Sequence, residues 1–168
     1  MGGGGGYGFS PEDLSILNKK AKDRIMRSQE DVKRHVFISF ANEDIDSINL
    51  LRGQSKNENT DLDFSDYSVK EPYNSENAEY IKRQITNQIN LCSVTLVYLS
   101  PDSMNSKWVA WEISKSKELG KGVIGIYKDP VKTIDIPNGI REKLDSIVKW
   151  NHQEIMKAIK EVNRERGI

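Results

Sequence analysis

The fold of this chain is decided by the run Leu91-Cys-Ser-Val-Thr-Leu-Val-Tyr-Leu-Ser-Pro101, followed closely by Lys107-Trp-Val-Ala-Trp-Glu-Ile-Ser-Lys115. The first segment is apolar and rich in β-branched and aromatic residues, so it predicts a buried strand that ends in a Ser-Pro turn. The second segment predicts a helix that carries Glu112 between two tryptophans. A strand that leads into a helix is typical of a parallel sheet, and this order places Glu112 at the rim where such sheets bind ligands.

The alternation of strands and helices extends over most of the chain. Strands are predicted at residues 34–40, 62–67, 91–101, 122–127 and 147–150, and helices at 42–51, 75–90, 106–120 and after Asn151. Residues 53–60 and the Pro137-Asn138-Gly139 segment are predicted to be turns or loops. We therefore predict an α/β fold, in which an open, parallel, five-stranded sheet is covered by helices on both faces.

The amino-terminal part adds two segments to this domain. Residues 1–9 are glycine-rich and predict a flexible tail, since glycine loses the most backbone entropy on ordering. Residues 10–33 are predicted to form an appended helix, which begins with the cap Ser10-Pro11 and runs to about Ser28. Its apolar residues form a partial stripe that would pack on the domain or on a second subunit. The main domain is then expected to span residues 34–168.

Composition excludes several classes of function. The chain has 25 basic and 25 acidic residues, so we expect neither nucleic acid nor a membrane as a partner. Cys92 is the one cysteine, and His35 and His152 have no second ligand at a useful spacing, so no metal site is predicted. No segment has the length of a membrane span or the pattern of a signal peptide, and we expect a cytoplasmic protein.

The residues that follow the predicted strands exclude three familiar nucleotide folds. After the first strand, Asn42-Glu43-Asp44 puts carboxylates where a flavodoxin would bind phosphate. A phospho-acceptor receiver domain needs an aspartate at the end of its third strand, but Leu99-Ser100 stands there. Neither a GxGxxG nor a GxxxxGK[ST] motif follows a strand, so no Rossmann or P-loop phosphate site is predicted.

Four segments instead carry a resemblance to a known family. They are Val36-Phe-Ile-Ser-Phe-Ala-Asn-Glu-Asp44, Val94-Thr-Leu-Val-Tyr-Leu-Ser-Pro101, Trp108-Val-Ala-Trp-Glu-Ile113 and Gly122-Val-Ile-Gly-Ile-Tyr127. Together they resemble a TIR domain, and in particular the bacterial TIR-like group that includes the NAD-processing subunit of Thoeris antiphage defence. The resemblance covers about residues 34–161 and implies a TIR or flavodoxin-like arrangement of the predicted sheet.

The resemblance also implies an activity. Catalytic members of the family use a glutamate in this helix to cleave the bond between nicotinamide and ribose in NAD, and Glu112 is the matching residue. Because nicotinamide is a good leaving group, one carboxylate that stabilises the positive charge on the ribose is sufficient. We therefore expect an enzyme that consumes NAD as a substrate, without a cofactor, and makes a cyclic or conjugated ADP-ribose signal for a downstream effector in antiphage defence.

The same resemblance suggests residues that contact NAD. Phe40, Ala41 and Asn42 follow the first strand and are expected on the nicotinamide side of the site. Asp66, Tyr67 and Tyr73 lie in the segment that corresponds to the family's mobile loop, and they are expected to hold the adenosine half or the second ribose. Trp108 and Trp111 are first interpreted as packing residues of their helix, and stacking of Trp108 on the ligand is the alternative.

Other interpretations stay open at this point. Glu112 could be a solvated helix residue that pairs with Lys115 or Ser116 one turn later. The domain could also be a non-catalytic module that assembles with other TIR-like subunits, including copies of itself, or a receptor that binds a nucleotide without cleaving it. The surroundings of Glu112 distinguish these possibilities, because a buried carboxylate near the predicted binding residues favours catalysis.

Overall fold

The computed structural model describes residues 8–57, 62–67, 71–128 and 135–167, and for residues 26–34 and 57 it describes the backbone alone. The chain divides into two compact units, Met1–Asp31 and Val32–Ile168. Most of the predicted tail, residues 1–7, lies outside the described residues. No helix in the described ranges combines the length and the apolar character that crossing a membrane requires.

The first unit is helical. Helix α1 spans Pro11–Arg34 and so continues past the predicted end near Ser28. Its start is capped as predicted, because Ser10 Oγ accepts a hydrogen bond from the Asp13 backbone N–H at 3.1 Å and the Asp13 carboxylate accepts one from the Ser10 N–H at 3.1 Å. Several large apolar side chains of α1 are exposed (Leu14, Ile16, Leu17, Ile25). What this stripe packs against stays a prediction.

The second unit contains the strands and the remaining helices. Its strands are β1 (His35–Ser39), β2 (Asp63–Ser65), β3 (Val94–Tyr98), β4 (Gly122–Tyr127) and β5 (Ser146–Lys149). Its helices are α2 (Ile45–Asn57), α3 (Ala78–Asn90), α4 (Pro101–Met104), α5 (Lys107–Glu118), α6 (Asn138–Arg141) and α7 (His152–Glu165), with a 3₁₀ turn at Asn42–Asp44 before α2.

All five strands form one parallel sheet in the order β2-β1-β3-β4-β5. The predicted α/β fold with a five-stranded parallel sheet is therefore confirmed. Parallel strands are buried on both faces, which explains why β1, β3 and β4 are nearly continuous apolar runs. The carboxyl ends of all five strands consequently lie along one edge.

Alternate residues of each strand point to opposite faces, and each face has its own apolar cluster. On one face, which we call the α2/α7 face, the strands pack against α2 and α7 (Val36, Ile38, Ile48, Leu51, Val94, Leu96, Tyr98, Ile124, Ile126, Ile155, Ala158, Ile159, Val162). The opposite face, which we call the α3/α5 face, packs Phe37 against α3 and Val97 and Val123 against α5. The predicted inner residues of α3 are all buried (Ala78, Ile81, Ile85, Ile89).

The structure corrects two of the predicted loops. Residues 53–57 form the last turns of α2 rather than a turn-rich segment. Their polar character reflects a helix face near the surface, where Gln54 Oε1 accepts a hydrogen bond from Trp150 Nε1 at 2.9 Å. Residues 138–141 form the short helix α6 instead of a loop, because Pro137 starts a turn that buries Ile140.

Two glycines are required at the start of β4. Gly120 follows α5 with φ +72°, which is the left-handed conformation expected of a residue that ends a helix. Gly122 has no room for a side chain, because an added Cβ would overlap Val162 Cγ1 of α7. The close approach of α7 to the sheet therefore depends on this glycine.

Replacing Gly122 with alanine should lower the free energy of unfolding by about 1–3 kcal/mol, since the stiff Val162 side chain or the whole helix must shift. Urea unfolding followed by circular dichroism measures the change. Gly53→Ala is the matched control, because Gly53 lies in α2 with open space around it and alanine is a better helix former. Equal stability of Gly122→Ala and the wild type would contradict the proposed close contact.

Candidate active site

The candidate site lies where the strand order changes direction. From β1 the chain passes to β2 on one side, whereas β3 pairs with the other side of β1. In open parallel sheets a crevice forms at the carboxyl ends of two such strands, because the connections leave them in opposite directions. Ser39 is the last residue of β1, and it pairs with Val97 of β3 at this point.

Helix α5 places Glu112 against this part of the sheet. Ser106 caps the helix by accepting a hydrogen bond from the Val109 backbone N–H at 3.2 Å. Val109, Glu112 and Ile113 then share the inner face, because residues three and four apart lie together on a helix. The Val109 and Ile113 side chains are fully buried, and only 4% of Glu112 is exposed.

The alternative of a solvated Glu112 is therefore wrong. Lys115 donates its hydrogen bond to Glu118 Oε2 at 3.0 Å and not to Glu112. The Ser116 hydroxyl donates to the backbone carbonyl of Glu112 at 2.7 Å and leaves the carboxylate untouched. Since neither Lys115 nor Ser116 binds the carboxylate, Glu112 does not form the predicted pair with a residue one turn later on α5.

Hydrogen bonds do little to offset the free-energy cost of burying the Glu112 carboxyl group. Glu112 Oε2 and the neighbouring Ser39 Oγ are both buried, and neither atom makes a hydrogen bond of ordinary geometry within the described part of the chain. Burial raises the pKa of Glu112 from its ordinary value of 4.5 to about 8; the nearby Ser39 hydroxyl opposes the shift, and the charge of Asp66 adds to it. The carboxyl group is consequently mostly protonated at neutral pH.

Asp66 is held near Glu112 by an ion pair. It follows β2 directly, its side chain is largely buried, and it binds the guanidinium of Arg52 in α2. The pair lies close enough to Glu112 for the Asp66 charge to affect its pKa. Asp66 is thus a predicted binding residue that lies close enough to Glu112 for the two side chains to interact electrostatically.

The predicted aromatic residues form a connected group on the α3/α5 face. Trp108 Nε1 donates to the Glu71 carbonyl oxygen at 3.0 Å, and the Tyr73 ring meets the Trp108 ring edge to face with centroids 5.1 Å apart. Lys82 Nζ lies 4.6 Å from the centroid of the Tyr73 ring. Tyr67, Trp108 and Trp111 also pack against the cluster around Phe37. These contacts fasten the segment that begins at Glu71 onto α5, as the packing interpretation of the tryptophans predicts.

The three residues predicted on the nicotinamide side do not join the aromatic group on the α3/α5 face. They are Phe40, Ala41 and Asn42. Phe40 is half-buried and packs against the cluster on the α2/α7 face, opposite to the face that carries Glu112. Ala41 is buried, and its carbonyl oxygen accepts a hydrogen bond from the Asp44 N–H at 2.9 Å, while Asn42 is exposed at the start of the 3₁₀ turn. The three residues lie at the correct edge of the sheet, and their contact with a ligand stays a prediction.

The structure also places residues in the site that the sequence did not single out. Asp44 and Ser100 follow β1 and β3, and the Ser100 hydroxyl donates to Asp44 Oδ2 at 2.5 Å, which joins the two loops. Burial raises the pKa of Asp44 against the effect of this hydrogen bond, and nearby acidic side chains raise it further. Arg52 and Ser39 had no distinguishing sequence pattern, although Ser39 is a polar residue at an inward position of an apolar strand, which is an unusual placement.

The fold and the site define a TIR-like domain with a buried glutamate at the carboxyl edge of its sheet. The model of the family "Thoeris protein ThsB, TIR-like domain" matches residues 37–133, more than half of the chain and a range that includes Glu112. The chain therefore belongs to this family, and the resemblance described from the sequence is confirmed.

Comparison with known proteins gives one relative and two solved structures of interest. The chain is 31% identical over 103 residues to a Bacillus cereus (strain MSX-D12) protein named "Putative cyclic ADP-D-ribose synthase ThsB1". The match covers 59% of this chain and 54% of the relative, so the chain spans about half the length of that protein.

The TIR domain of the Toll-related receptor TRR-2 from Hydra magnipapillata has a TM-score of 0.48 at 18% identity, covering 79% of this chain and 98% of that one. A 2-desoxiribosyltransferase from Leishmania mexicana has a TM-score of 0.41 at 17% identity, covering 64% and 76% of the two chains. Structural similarity with such low TM-scores and sequence identities gives no information about activity.

The raised pKa of Glu112 predicts how stability depends on pH. Between its ordinary value of 4.5 and about 8, the folded protein keeps a proton that the unfolded chain has lost, so the free energy of unfolding falls as the pH rises through this range. Glu112→Gln removes the ionisation, and should be more stable than the wild type by on the order of a few kcal/mol at about pH 9.

Urea unfolding at a series of pH values measures this difference. Glu118→Gln is the control on the same helix, since the Glu118 side chain is 68% exposed and its curve should run parallel to that of the wild type. A Glu112→Gln curve that also runs parallel to the wild type would show that Glu112 ionises normally in the folded protein.

Proposed function

We propose that this protein cleaves the bond between nicotinamide and ribose in NAD and makes an ADP-ribose-derived signal, cyclic or conjugated, for an effector in antiphage defence. The observation that carries the proposal is the buried carboxyl group of Glu112 at the switch point of the sheet. Family membership and the name of the Bacillus cereus relative support the same chemistry.

In the proposed reaction, the bond between the ribose carbon and the nicotinamide nitrogen breaks. The bonding electrons stay with nicotinamide, which leaves as a neutral molecule, and the positive charge moves to the ribose ring. The ionised Glu112 carboxylate stabilises this charge and accepts hydrogen bonds from the ribose hydroxyl groups. An acceptor then bonds to the ribose carbon and loses a proton, which gives a cyclic product when the acceptor belongs to the same molecule.

The burial of Glu112 suits this role because a charge acts more strongly in a site that excludes water. Burial also keeps the carboxyl group protonated in the free protein at neutral pH. Nicotinamide carries a positive charge in NAD, so binding of the substrate next to Glu112 lowers its pKa and favours the charged form. The substrate would in this way generate the carboxylate that its own cleavage requires.

The remaining predicted residues have roles that follow from their positions. Asp66, fixed by Arg52, lies close enough to Glu112 for its charge to affect the Glu112 pKa, and Tyr67 packs on the Glu112 side of the sheet. Both residues are proposed to contact the second ribose or the adenosine half. Tyr73 and Trp108 are proposed to hold the segment from Glu71 onward as a wall of the site. Phe40, Ala41 and Asn42 are proposed to line the nicotinamide side at the end of β1.

Glu112→Gln should reduce the rate of nicotinamide release by about a hundredfold or more, because one preorganised charge is lost from the transition state. The assay follows nicotinamide and NAD by chromatography and identifies the product by its mass. Glu118→Gln, on the exposed face of the same helix, should leave the rate unchanged.

Three outcomes, one from this assay and two from binding and self-association measurements, would contradict the proposal. Equal NAD loss with the wild type and Glu112→Gln would remove Glu112 from the reaction. A wild-type protein that binds NAD in calorimetry without releasing nicotinamide would be a receptor, and one that self-associates without binding NAD would be an interaction module.

The reaction rate should also depend on pH. Because kcat/KM reports ionisation in the free enzyme, it should rise about tenfold per pH unit below the Glu112 pKa of about 8 and level off above it. The kcat profile should turn at a lower pH, since the cationic nicotinamide favours the carboxylate in the complex. Initial rates over a range of NAD concentrations measure both, and a kcat/KM that is flat across this range would contradict the need for an ionised Glu112.

A further inference from the structure

Two buried polar atoms of the candidate site make no hydrogen bond of ordinary geometry within the described residues, and they lie close enough for the Ser39 hydroxyl to affect the pKa of Glu112. Ser39 has no exposed surface, and its Oγ makes no hydrogen bond within the described ranges. The same holds for Oε2 of Glu112. An unpaired hydroxyl in the protein interior is unfavourable, and two such groups next to each other are a mismatch that ordinary packing does not explain.

The direction of Ser39 follows from its strand. Side chains alternate along β1, so Ser39 points to the same face as Phe37, which is the face covered by α3 and α5. Both groups are sealed from water, and a serine hydroxyl can turn about its Cβ–Oγ bond to offer its hydrogen in a new direction. A hydrogen bond from Ser39 would stabilise the ionised form of Glu112 more than the protonated form, because hydrogen bonds to charged groups are stronger.

We propose that Ser39 is a positioning residue for Glu112: its hydroxyl donates a hydrogen bond to Oε2 when the carboxyl group ionises and holds the carboxylate in one orientation toward the ribose. The orientation step rests on the proposed function, whereas the hydrogen bond itself does not require turnover.

The other polar groups near Glu112 do not stabilise its carboxylate. Asp66, from the segment after β2, disfavours the charged form of Glu112, and its own charge is paired with Arg52 of α2. On α5, Lys115 pairs with Glu118, and Ser116 binds the Glu112 backbone. Among the described residues that influence the Glu112 pKa, Ser39 is the one that favours the carboxylate.

Ser39→Ala tests the proposal, and Ser116→Ala is its matched control. Both serines are fully buried, but the Ser116 hydroxyl is satisfied, since it lies 2.7 Å from both the Glu112 carbonyl oxygen and Thr95 Oγ1. Ser116→Ala should therefore lower the urea midpoint equally at all pH values. Ser39→Ala should leave the midpoint unchanged or raise it near pH 6, and lower it relative to the wild type near pH 9, where Glu112 ionises.

The same pair of measurements is repeated in a Glu112→Gln background. There the effect of Ser39→Ala should no longer depend on pH, because the charged partner is gone. A Ser39→Ala effect that is the same near pH 6 and near pH 9 in the wild-type background would overturn the proposal. This readout uses no substrate, so it decides the hydrogen bond even if the protein fails to cleave NAD.

Activity supplies the second readout. In Ser39→Ala the pH of half-maximal kcat/KM for NAD should rise by about one unit, since loss of a hydrogen bond to a charged group changes an equilibrium by roughly tenfold. Ser116→Ala should leave this pH unchanged. If the unfolding data show the hydrogen bond and the activity profile of Ser39→Ala matches the wild type, the positioning role in catalysis is overturned.

Discussion

The packing of α5 against the sheet removes a carboxyl group from water. Val109 and Ile113 must be buried for the helix to contact β3 and β4, and Glu112 lies between them on the same face. The helix cannot bury its apolar residues without burying this side chain as well. The free energy gained by the apolar contacts therefore offsets the desolvation of Glu112, and the site is unfavourable for a charged carboxylate.

The fold could be predicted from the sequence to the extent that local patterns agree with the packing. The strands are visible because both faces of a parallel sheet are buried, and α3 is visible because four apolar residues recur at helical spacing. Cap residues mark the ends of elements, as with Asn151, whose Oδ1 accepts hydrogen bonds from the Gln153 and Glu154 N–H groups at 2.9 and 3.2 Å. The polarity of residues 53–57 predicts a turn although they are helical, because polarity alone does not distinguish an exposed helix face from a loop.

The place of Glu112 on a helix at the carboxyl edge of the sheet could be predicted, but its surroundings could not. Glu112 follows from the resemblance, yet its burial depends on how α5 meets β1, and no spacing in the sequence encodes that contact. The Asp66–Arg52 pair joins residues of two elements, and Phe40 turns to the opposite face, so both depend on the folded arrangement. Ser39 shows most clearly what the sequence cannot predict. A role for a serine in an apolar strand can be inferred only when Glu112 of α5 is known to lie next to it.

The parallel sheet has a consequence for how this chain reaches its structure. None of the pairings between its five strands is a hairpin, and the central one joins Val36 to Val94, so a long stretch of chain must be closed into a loop before that contact forms. Contacts of such long sequence separation are characteristic of slow folding. The crevice at the end of β1 and β3 depends on this same pairing, and therefore it cannot exist before the two distant segments of the chain have met.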